Sequence, residues 1–229
     1  MLRIIDCETT GTDATKDKVI EIASVDVSRA GISNSRKTFV NPGIPIPPES
    51  SAIHHIIDED VQGAPTYEVA IKQFVMGPAD YFIAHNASFD ASFLGDDLGS
   101  NWICTYRCAL RIWPDLPTHS NQGLRYQLGL ISPFGMPRKE ISPHRAIDDC
   151  IVTAAIFLEI SKKAKWSDIL RWSQEPALQT RFTWGKHRGE RWDAVPADYL
   201  NWIRDKMVDD PSAQFSAAYW IEQRKGKAA

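Results

Sequence analysis

The stretch Ile4-Ile5-Asp6-Cys7-Glu8-Thr9-Thr10-Gly11 decides the fold of this 229-residue chain. Its two isoleucines are typical of a short buried strand, and two carboxylates follow at positions 6 and 8. Residues i and i+2 of a strand point to the same face, so we expect Asp6 and Glu8 to direct two negative charges toward one point beside the core. A divalent cation such as Mg²⁺, which prefers oxygen ligands, relieves the cost of burying them. A solvated strand end explains the same pair without a metal, so both interpretations stay open at this point.

Alternating hydrophobicity continues after this stretch and predicts a sheet. Residues 18–28 alternate as a strand, residues 29–34 contain Gly31 and predict a turn, and residues 35–40 predict a third strand, so residues 2–40 form a β-meander. Prolines 42, 45, 47 and 48 then interrupt regular structure. Two further buried strands are predicted at 81–84 and 103–105.

Helical spacing, caps and prolines predict the helices between and after these strands. We expect a short turn at 57–61 and a helix over 67–76. Asn86 is predicted to cap a helix that begins near Ala87, and Ser142-Pro143 is predicted to start a long helix with Ile147, Ile151, Ala154 and Leu158 on one face. The remaining predicted helices cover 106–112, 123–130, 197–207 and 211–224.

The composition indicates a globular protein with a division near residue 164. Hydrophobic residues make up 43% of the chain, which is enough for a real core, and no run is long enough to span a membrane, so we expect a cytoplasmic protein with reduced cysteines. Residues 1–160 hold 13 Lys and Arg against 20 Asp and Glu, whereas residues 161–229 hold 13 against 9. Six of the eight tryptophans lie beyond residue 160. We therefore predict a main domain over 1–163 and a small, basic, Trp-rich domain over 164–229.

Two further polar clusters stand where a predicted helix follows a strand or a loop. His85-Asn86-Ala87-Ser88-Phe89-Asp90 places Asp90 in a first helical turn, and His144-Arg145-Ala146-Ile147-Asp148-Asp149 opens the long helix. Residues five apart do not share a helix face, so His144 must reach inward from the helix start while Asp149 projects from its side. Each cluster alone also fits a surface helix end. A third segment, His54-His55-Ile56, fits a hydrophobic plug as well as a ligand contact.

Together these motifs resemble, in order and spacing, the three motifs of the DEDD superfamily of 3′–5′ exonucleases, in its histidine variant. The resemblance covers residues 1–160, and the phrases Val-Ile-Glu-Ile-Ala-Ser-Val-Asp-Val, Trp102-Ile103-Cys104-Thr105 and Phe182–Gly189 resemble its exodeoxyribonuclease X-like branch. The resemblance implies an α/β, ribonuclease H-like exonuclease fold: a central mixed β-sheet flanked by helices, with a small C-terminal segment.

The resemblance also implies a site that holds two Mg²⁺ ions, with Mn²⁺ as a substitute. Its catalytic residues would be four acids and a general base, His144, and the acids would be the metal ligands: Asp6, Glu8, Asp90 and Asp149. Spacing from His144 favours Asp149 over its neighbour Asp148, which would face away or support the ligands from behind. The terminal nucleotide would be bordered by Thr10, Gly11, His54, Ile57 and Phe89. At position 12, where relatives often carry a large apolar residue that wedges the terminal bases, this chain has Thr12.

The implied activity is hydrolysis that releases nucleoside 5′-monophosphates from DNA 3′ ends, in DNA repair or recombination. An RNA-trimming exoribonuclease and a polymerase proofreading subunit would use the same site, and RNA is then the alternative substrate. A non-catalytic nucleic-acid-binding platform is an alternative of another class, although it would have no reason to keep clustered carboxylates. Lysines and arginines of the C-terminal segment, interleaved with tryptophans, could contact DNA phosphates, or could form the solvated face of a small core: Lys162, Lys163, Lys165, Lys186, Arg188, Arg191, Lys225 and Lys227.

Overall fold

A computed structural model of the chain, which describes residues 1–75 and 79–228, has a five-stranded sheet at its centre. The strands are β1 (Leu2–Thr9), β2 (Val19–Ser28), β3 (Gly31–Phe39), β4 (Tyr81–Ala84) and β5 (Trp102–Cys104). Their order in the sheet is β3-β2-β1-β4-β5. The predicted meander is confirmed, because β1, β2 and β3 pair antiparallel, whereas β4 runs parallel to β1 and β5 parallel to β4.

Helices cover both faces of this sheet and continue into the C-terminal segment. In the described part of the chain they are α1 (Pro48–His54), α2 (Asp58–Val61), α3 (Tyr67–Ala70), α4 (Lys72–Val75), α5 (Ser88–Leu98), α6 (Thr105–Ile112), α7 (Asn121–Gln127), α8 (Ala146–Lys163), α9 (Trp166–Gln174), α10 (Ala197–Lys206) and α11 (Pro211–Ala228). Two short 3₁₀ turns, Pro133–Gly135 and Arg138–Glu140, lie in the predicted loop before α8. The last residue of the predicted helix over 67–76 lies outside the described residues.

Three predictions about helix starts and breaks were wrong. Helix α1 forms where prolines were expected to exclude regular structure, because Pro48 sits in its first turn, where no backbone N–H is needed. Asn86 does not cap α5: its backbone has φ of 69°, and its side-chain oxygen accepts from the Ser88 hydroxyl instead of a backbone amide. The long helix begins at Ala146 and not at Ser142.

Alternation along β1 divides the core between the two faces of the sheet. Ile4 packs in a cluster with residues of α8, such as Ile156, whereas Ile5 packs in a second cluster with Leu94 of α5. Strand β2 is buried along nearly its whole length, since both of its faces are covered. The sheet is therefore a rigid central layer, and the ends of its strands are fixed relative to the helices that follow them.

The C-terminal segment adds a third hydrophobic cluster around Phe182 and Trp192. Its predicted turn at 181–189 forms, closed by an antiparallel bridge between Arg181 and Arg191. Helix α9, by contrast, packs Ile169 into the α8 cluster. The division at 163/164 therefore remains a prediction.

Within residues 1–75 and 79–228, no helix combines the length and hydropathy that crossing a membrane requires. The four cysteines are buried with free thiols.

Candidate active site

The four predicted acidic residues converge at the carboxyl ends of β1 and β4. Asp6 and Glu8 project from β1, Asp90 from the first turns of α5, and Asp149 from the first turn of α8. All four line one cavity of about 400 Å³. Asp6 and Glu8 lie on the same side of β1, as predicted, because successive side chains of a pleated strand alternate between its two faces.

Asp90 is fixed against the first strand. Its side chain is only 2% exposed, and its Oδ1 accepts a hydrogen bond of 3.1 Å from the backbone N–H of Cys7. That residue lies between the two carboxylates of β1, so the bond ties the start of α5 to the acidic pair. A buried carboxylate needs such a donor, since an unpaired one is costly.

Asp149 is fixed by the loop that precedes its own helix. Its Oδ2 accepts from the backbone N–H of His144 at 2.8 Å, and its Oδ1 accepts from Nε2 of Gln122 at 3.0 Å. The backbone of His144 has φ of 57°, a left-handed conformation that explains why the helix does not start here. Asp148 faces away as predicted: its Oδ2 accepts from the Ser142 N–H at 3.0 Å, and it does not line the cavity.

The exposed imidazole of His144 reaches toward the acids from the helix start. One ring nitrogen of His144 and one carboxylate oxygen from each of Glu8 and Asp149 all lie within 4.8 Å of one another. The imidazole can therefore exchange protons with solvent on one side and face the carboxylates on the other.

Burial and mutual repulsion raise the pKa values of the clustered acids. Burial first, and then the charges of Asp90 and Asp149, raise the pKa of Asp6 well above its ordinary value. Burial and the charge of Asp149 raise the pKa of Glu8 to about 8, and burial raises the pKa of Asp90 to about 7. A cluster of oxygen donors with such excess negative charge fits hard divalent cations, which neutralise it.

The structure adds a fifth acid, Glu21, which sequence reasoning did not select. It lies directly opposite Glu8 on β2, and it is 2% exposed. Its carboxylate accepts from Arg145 at 3.2 Å (Nε) and 3.0 Å (Nη2), and from the backbone N–H of Ala146 at 3.1 Å. These bonds hold the residue that follows His144, so Glu21 and Arg145 position the loop that presents the imidazole.

His85, the first residue of the second motif, supports the cavity wall. Burial lowers the pKa of His85 to about 4, so its imidazole is neutral. Its Nε2–H donates to the carbonyl oxygen of His119 at 2.8 Å, and its Nδ1 lies 2.9 Å from the hydroxyl of Thr105. The ring is thus held between the start of α6 and the segment before α7. It lines the cavity, but both of its nitrogens already have hydrogen-bond partners.

Three of the five residues predicted to border a nucleotide line the cavity: Gly11, His54 and Phe89. A Cβ at Gly11 would collide with the Asp17 carboxylate, so a larger residue here would displace that carboxylate from its bonds with Thr10 and Asp13. His54 is buried, and its Nδ1 accepts from the backbone N–H of Ile56 at 3.0 Å.

The other two predicted residues, Thr10 and Ile57, are not among the residues that line the cavity. The lining includes Ile53 instead, whose side chain is 54% exposed, and also Thr12. Sequence reasoning missed Ile53 because it did not predict α1, and it missed Asn121 and Gln122, which stand in no motif. Ile53 therefore adds an exposed apolar surface to the cavity, which Thr12 does not provide.

Comparisons of the whole chain with known proteins identify its family. A family model described as exonuclease matches residues 4–157. Exodeoxyribonuclease 10 of Escherichia coli (strain K12) is 34% identical over 230 residues, which cover 97% of this chain and 99% of that protein. The DNA polymerase III subunit epsilon of Treponema pallidum (strain Nichols) is 33% identical over 165 residues, which cover 66% of this chain and 72% of that protein.

Solved structures show the same fold. Exonuclease X in complex with 5′ overhanging duplex DNA matches with a TM-score of 0.65 at 35% identity, over 76% of this chain and 99% of that chain. Exonuclease I of E. coli in complex with a dT13 oligonucleotide matches in fold, with a TM-score of 0.56 at 14% identity, over 71% of this chain and 41% of that chain. The predicted ribonuclease H-like exonuclease fold is confirmed. This chain belongs to the exonuclease family and is an exonuclease of the DEDD type.

Proposed function

We propose that this chain is a Mg²⁺-dependent 3′–5′ exodeoxyribonuclease that releases nucleoside 5′-monophosphates from DNA 3′ ends and serves DNA repair or recombination. The observation that carries the proposal is the convergence of Asp6, Glu8, Asp90 and Asp149 in one cavity beside His144. Exonucleases of the DEDD type are metal-dependent, and these four carboxylates would hold the ions. When bound, two Mg²⁺ ions supply charge neutralisation of the phosphate and activation of the attacking water.

His144 would act as the general base. Its ring lies beside Glu8 and Asp149, and its backbone is held by Asp149 on one side and by the Arg145–Glu21 contact on the other. Imidazole is the side chain suited to accept a proton near neutral pH, so it would take the proton of the attacking water. Its exposure allows that proton to leave to solvent.

The shape of the site favours cleavage at a chain end. A cavity of about 400 Å³ has the size that encloses a small ligand. Phe89 and Ile53 line it and would contact the terminal base, and the fixed imidazole ring of His85 is a further part of its wall. A nucleotide at the end of a strand could enter this cavity, whereas a nucleotide within a duplex would carry chain on both sides.

A proofreading subunit is the second candidate, since the polymerase subunit of T. pallidum is 33% identical over 66% of this chain. It would use the same residues on the same chemistry. The difference would lie in dependence on a polymerase partner, which the isolated chain would show as weak activity that a polymerase restores.

The test is a time course on gels with matched DNA and RNA oligonucleotides labelled at the 3′ or 5′ end, in Mg²⁺ or in EDTA. We expect shortening from the 3′ end that needs Mg²⁺ and is faster on DNA, with nucleoside 5′-monophosphate as product. Asp6→Ala, purified in parallel, controls for contaminating nucleases and should be inactive. Faster cutting of RNA would assign the chain to RNA trimming, and binding without cutting would favour the platform function.

A further inference from the structure

The C-terminal segment presents a surface of two aromatic and two cationic side chains, here called the tail surface: Lys186, Arg188, Tyr199 and Trp202. Tyr199 is half-buried, and the other three are exposed. Tyr199 and Trp202 lie one turn apart on α10, and their rings stack with centroids 5.7 Å apart and planes at 19°. Nζ of Lys186 lies 4.9 Å from the centre of the Tyr199 ring. Trp202 is 50% exposed, although Trp192 and Trp220 of the same segment are buried in its core.

The turn that carries the two cations is firmly built. Phe182 stacks on Trp192 with ring centroids 4.1 Å apart, and its backbone exchanges hydrogen bonds with Gly189 and Glu190 at 2.7 and 2.9 Å. Gly185, with φ of 67°, turns the chain so that Lys186 and Arg188 stand at the tip. The position of the cations therefore follows from the core of the segment and needs no bound partner.

Both cations are available to bind an anion. Among the described residues, neither Lys186 nor Arg188 forms an ion pair, whereas Arg191 at the base of the turn is held by Asp115 and Asp193.

The acids nearby in sequence are already engaged. Glu190 contacts His187 at 3.1 Å, Asp205 pairs with Arg204 at 2.8 Å, and Asp198 accepts from the backbone N–H of Tyr199 at 2.9 Å. Positive charge with no acidic partner, beside an open aromatic face, suits a polymer of phosphates and bases.

We infer that the tail surface is a second DNA contact, in which a base stacks on Trp202 and phosphates bind Lys186 and Arg188. The ligand is a single strand, because only unpaired bases expose the ring faces that stack on an aromatic side chain. The segment packs on α6 through Leu110 and Tyr106, and the Tyr106 ring lies 5.8 Å from that of His85 in the cavity wall. The inference rests on the proposed function: the strand bound at the tail surface is the same strand whose 3′ end enters the cavity.

The test is fluorescence anisotropy of the full chain with a labelled single-stranded DNA oligonucleotide, in EDTA so that no cleavage occurs, across a range of salt concentrations. Trp202→Ala should weaken binding about fivefold or more and leave the salt dependence unchanged, because it removes stacking and no charge. Trp202→Phe should restore most of the affinity. Lys186→Ala with Arg188→Ala should reduce the slope of log K against log salt by about 1.4, since each phosphate contact to a single strand contributes about 0.7.

Matched controls exist elsewhere in the segment. Trp166→Ala removes another exposed tryptophan, 42% exposed and packed edge-on against Tyr81, and Arg171→Ala removes an arginine that pairs with Asp168 and Glu175. These controls should bind DNA as the unmodified chain does, and thermal melting should show that all variants are folded.

Unchanged affinity in Trp202→Ala together with an unchanged salt slope in the double variant would overturn the inference. Hydrolysis of a DNA dinucleotide in Mg²⁺ separates this failure from failure of the proposed function. A dinucleotide is too short to engage a second contact, so its hydrolysis should be equal in all these variants. No hydrolysis of it by the unmodified chain would count against the catalytic proposal alone.

Discussion

Removal of one negative charge from the acidic cluster should stabilise the metal-free protein at about pH 8. Glu8 is the informative position, because burial and then the charges of Asp149 and Glu21 raise its pKa from 4.5 to about 8. A carboxyl group whose pKa is higher in the folded state binds more protons when folded. The free energy of unfolding therefore falls as the pH rises from the unfolded pKa toward the folded one.

The size of this effect follows from the two pKa values of Glu8. One pKa unit corresponds to about 1.36 kcal/mol. The rise in the pKa of Glu8 from 4.5 to about 8 therefore limits the gain in the free energy of unfolding to about 4 kcal/mol at pH 8. Water in the open cavity screens the charges, so we expect Glu8→Gln to gain about 1–2 kcal/mol. For a chain of this length, that gain raises Tm by roughly 2–8 °C.

Thermal unfolding followed by circular dichroism in EDTA measures this gain. The gain of Glu8→Gln should be present at about pH 8 and nearly absent at about pH 4, below the ordinary pKa of 4.5, because the carboxyl group is then protonated in the folded state and mostly protonated when unfolded. Excess Mg²⁺ should narrow the difference, because the ion stabilises the unmodified chain more. Glu59→Gln, an exposed residue outside the cavity, is the control. A Glu8→Gln variant that is less stable than the unmodified chain at about pH 8 in EDTA would refute this reasoning.

Three kinetic predictions concern the residues around the acids. Arg145→Ala should lower kcat roughly 10–100-fold with little change in KM, because the loop that presents the imidazole loses its contact with Glu21. Arg145→Lys should have the same low kcat, since lysine cannot replace the paired guanidinium contacts. An unchanged kcat in Arg145→Ala would contradict the positioning role. His144→Gln should lower the single-turnover rate about 10²–10⁴-fold while DNA binding in EDTA is retained; a rate near that of the unmodified chain would exclude it as the base. Ile53→Ala should raise KM for DNA more than Ile57→Ala does, since only Ile53 lines the cavity; equal effects would place the base contact elsewhere.

The parts of the fold that follow from local pattern could be predicted from the sequence. The meander and β4 follow from two-residue alternation and compact apolar runs, and the pleat alone brings Asp6 and Glu8 to one side. The resemblance of the three motifs, in order and spacing, to those of the DEDD exonucleases then implies Asp90 and Asp149 as their companions.

The parts that depend on tertiary contacts could not be predicted in this way. The left-handed backbone of His144 is stabilised by the Asp149 carboxylate, so no propensity of the segment reveals that the helix starts later. In the sequence, Glu21 is one polar residue of an alternating strand. Its part in positioning the His144 loop depends on the strand register that places it opposite Glu8. Likewise, the left-handed turn at His55 ends α1 and separates Ile53, which lines the cavity, from Ile57, which does not.

The proposed mechanism depends on Asp149, and not its neighbour Asp148, as the fourth acid of the catalytic cluster. The measurement that tests it most directly is the single-turnover rate of 3′-terminal nucleotide release from DNA in Mg²⁺ by Asp149→Asn and Asp148→Asn. We expect a loss of about 10³-fold or more for Asp149→Asn with DNA binding in EDTA retained, and a rate within about tenfold of the unmodified chain for Asp148→Asn. Full activity of Asp149→Asn, or a larger loss in Asp148→Asn, would contradict it.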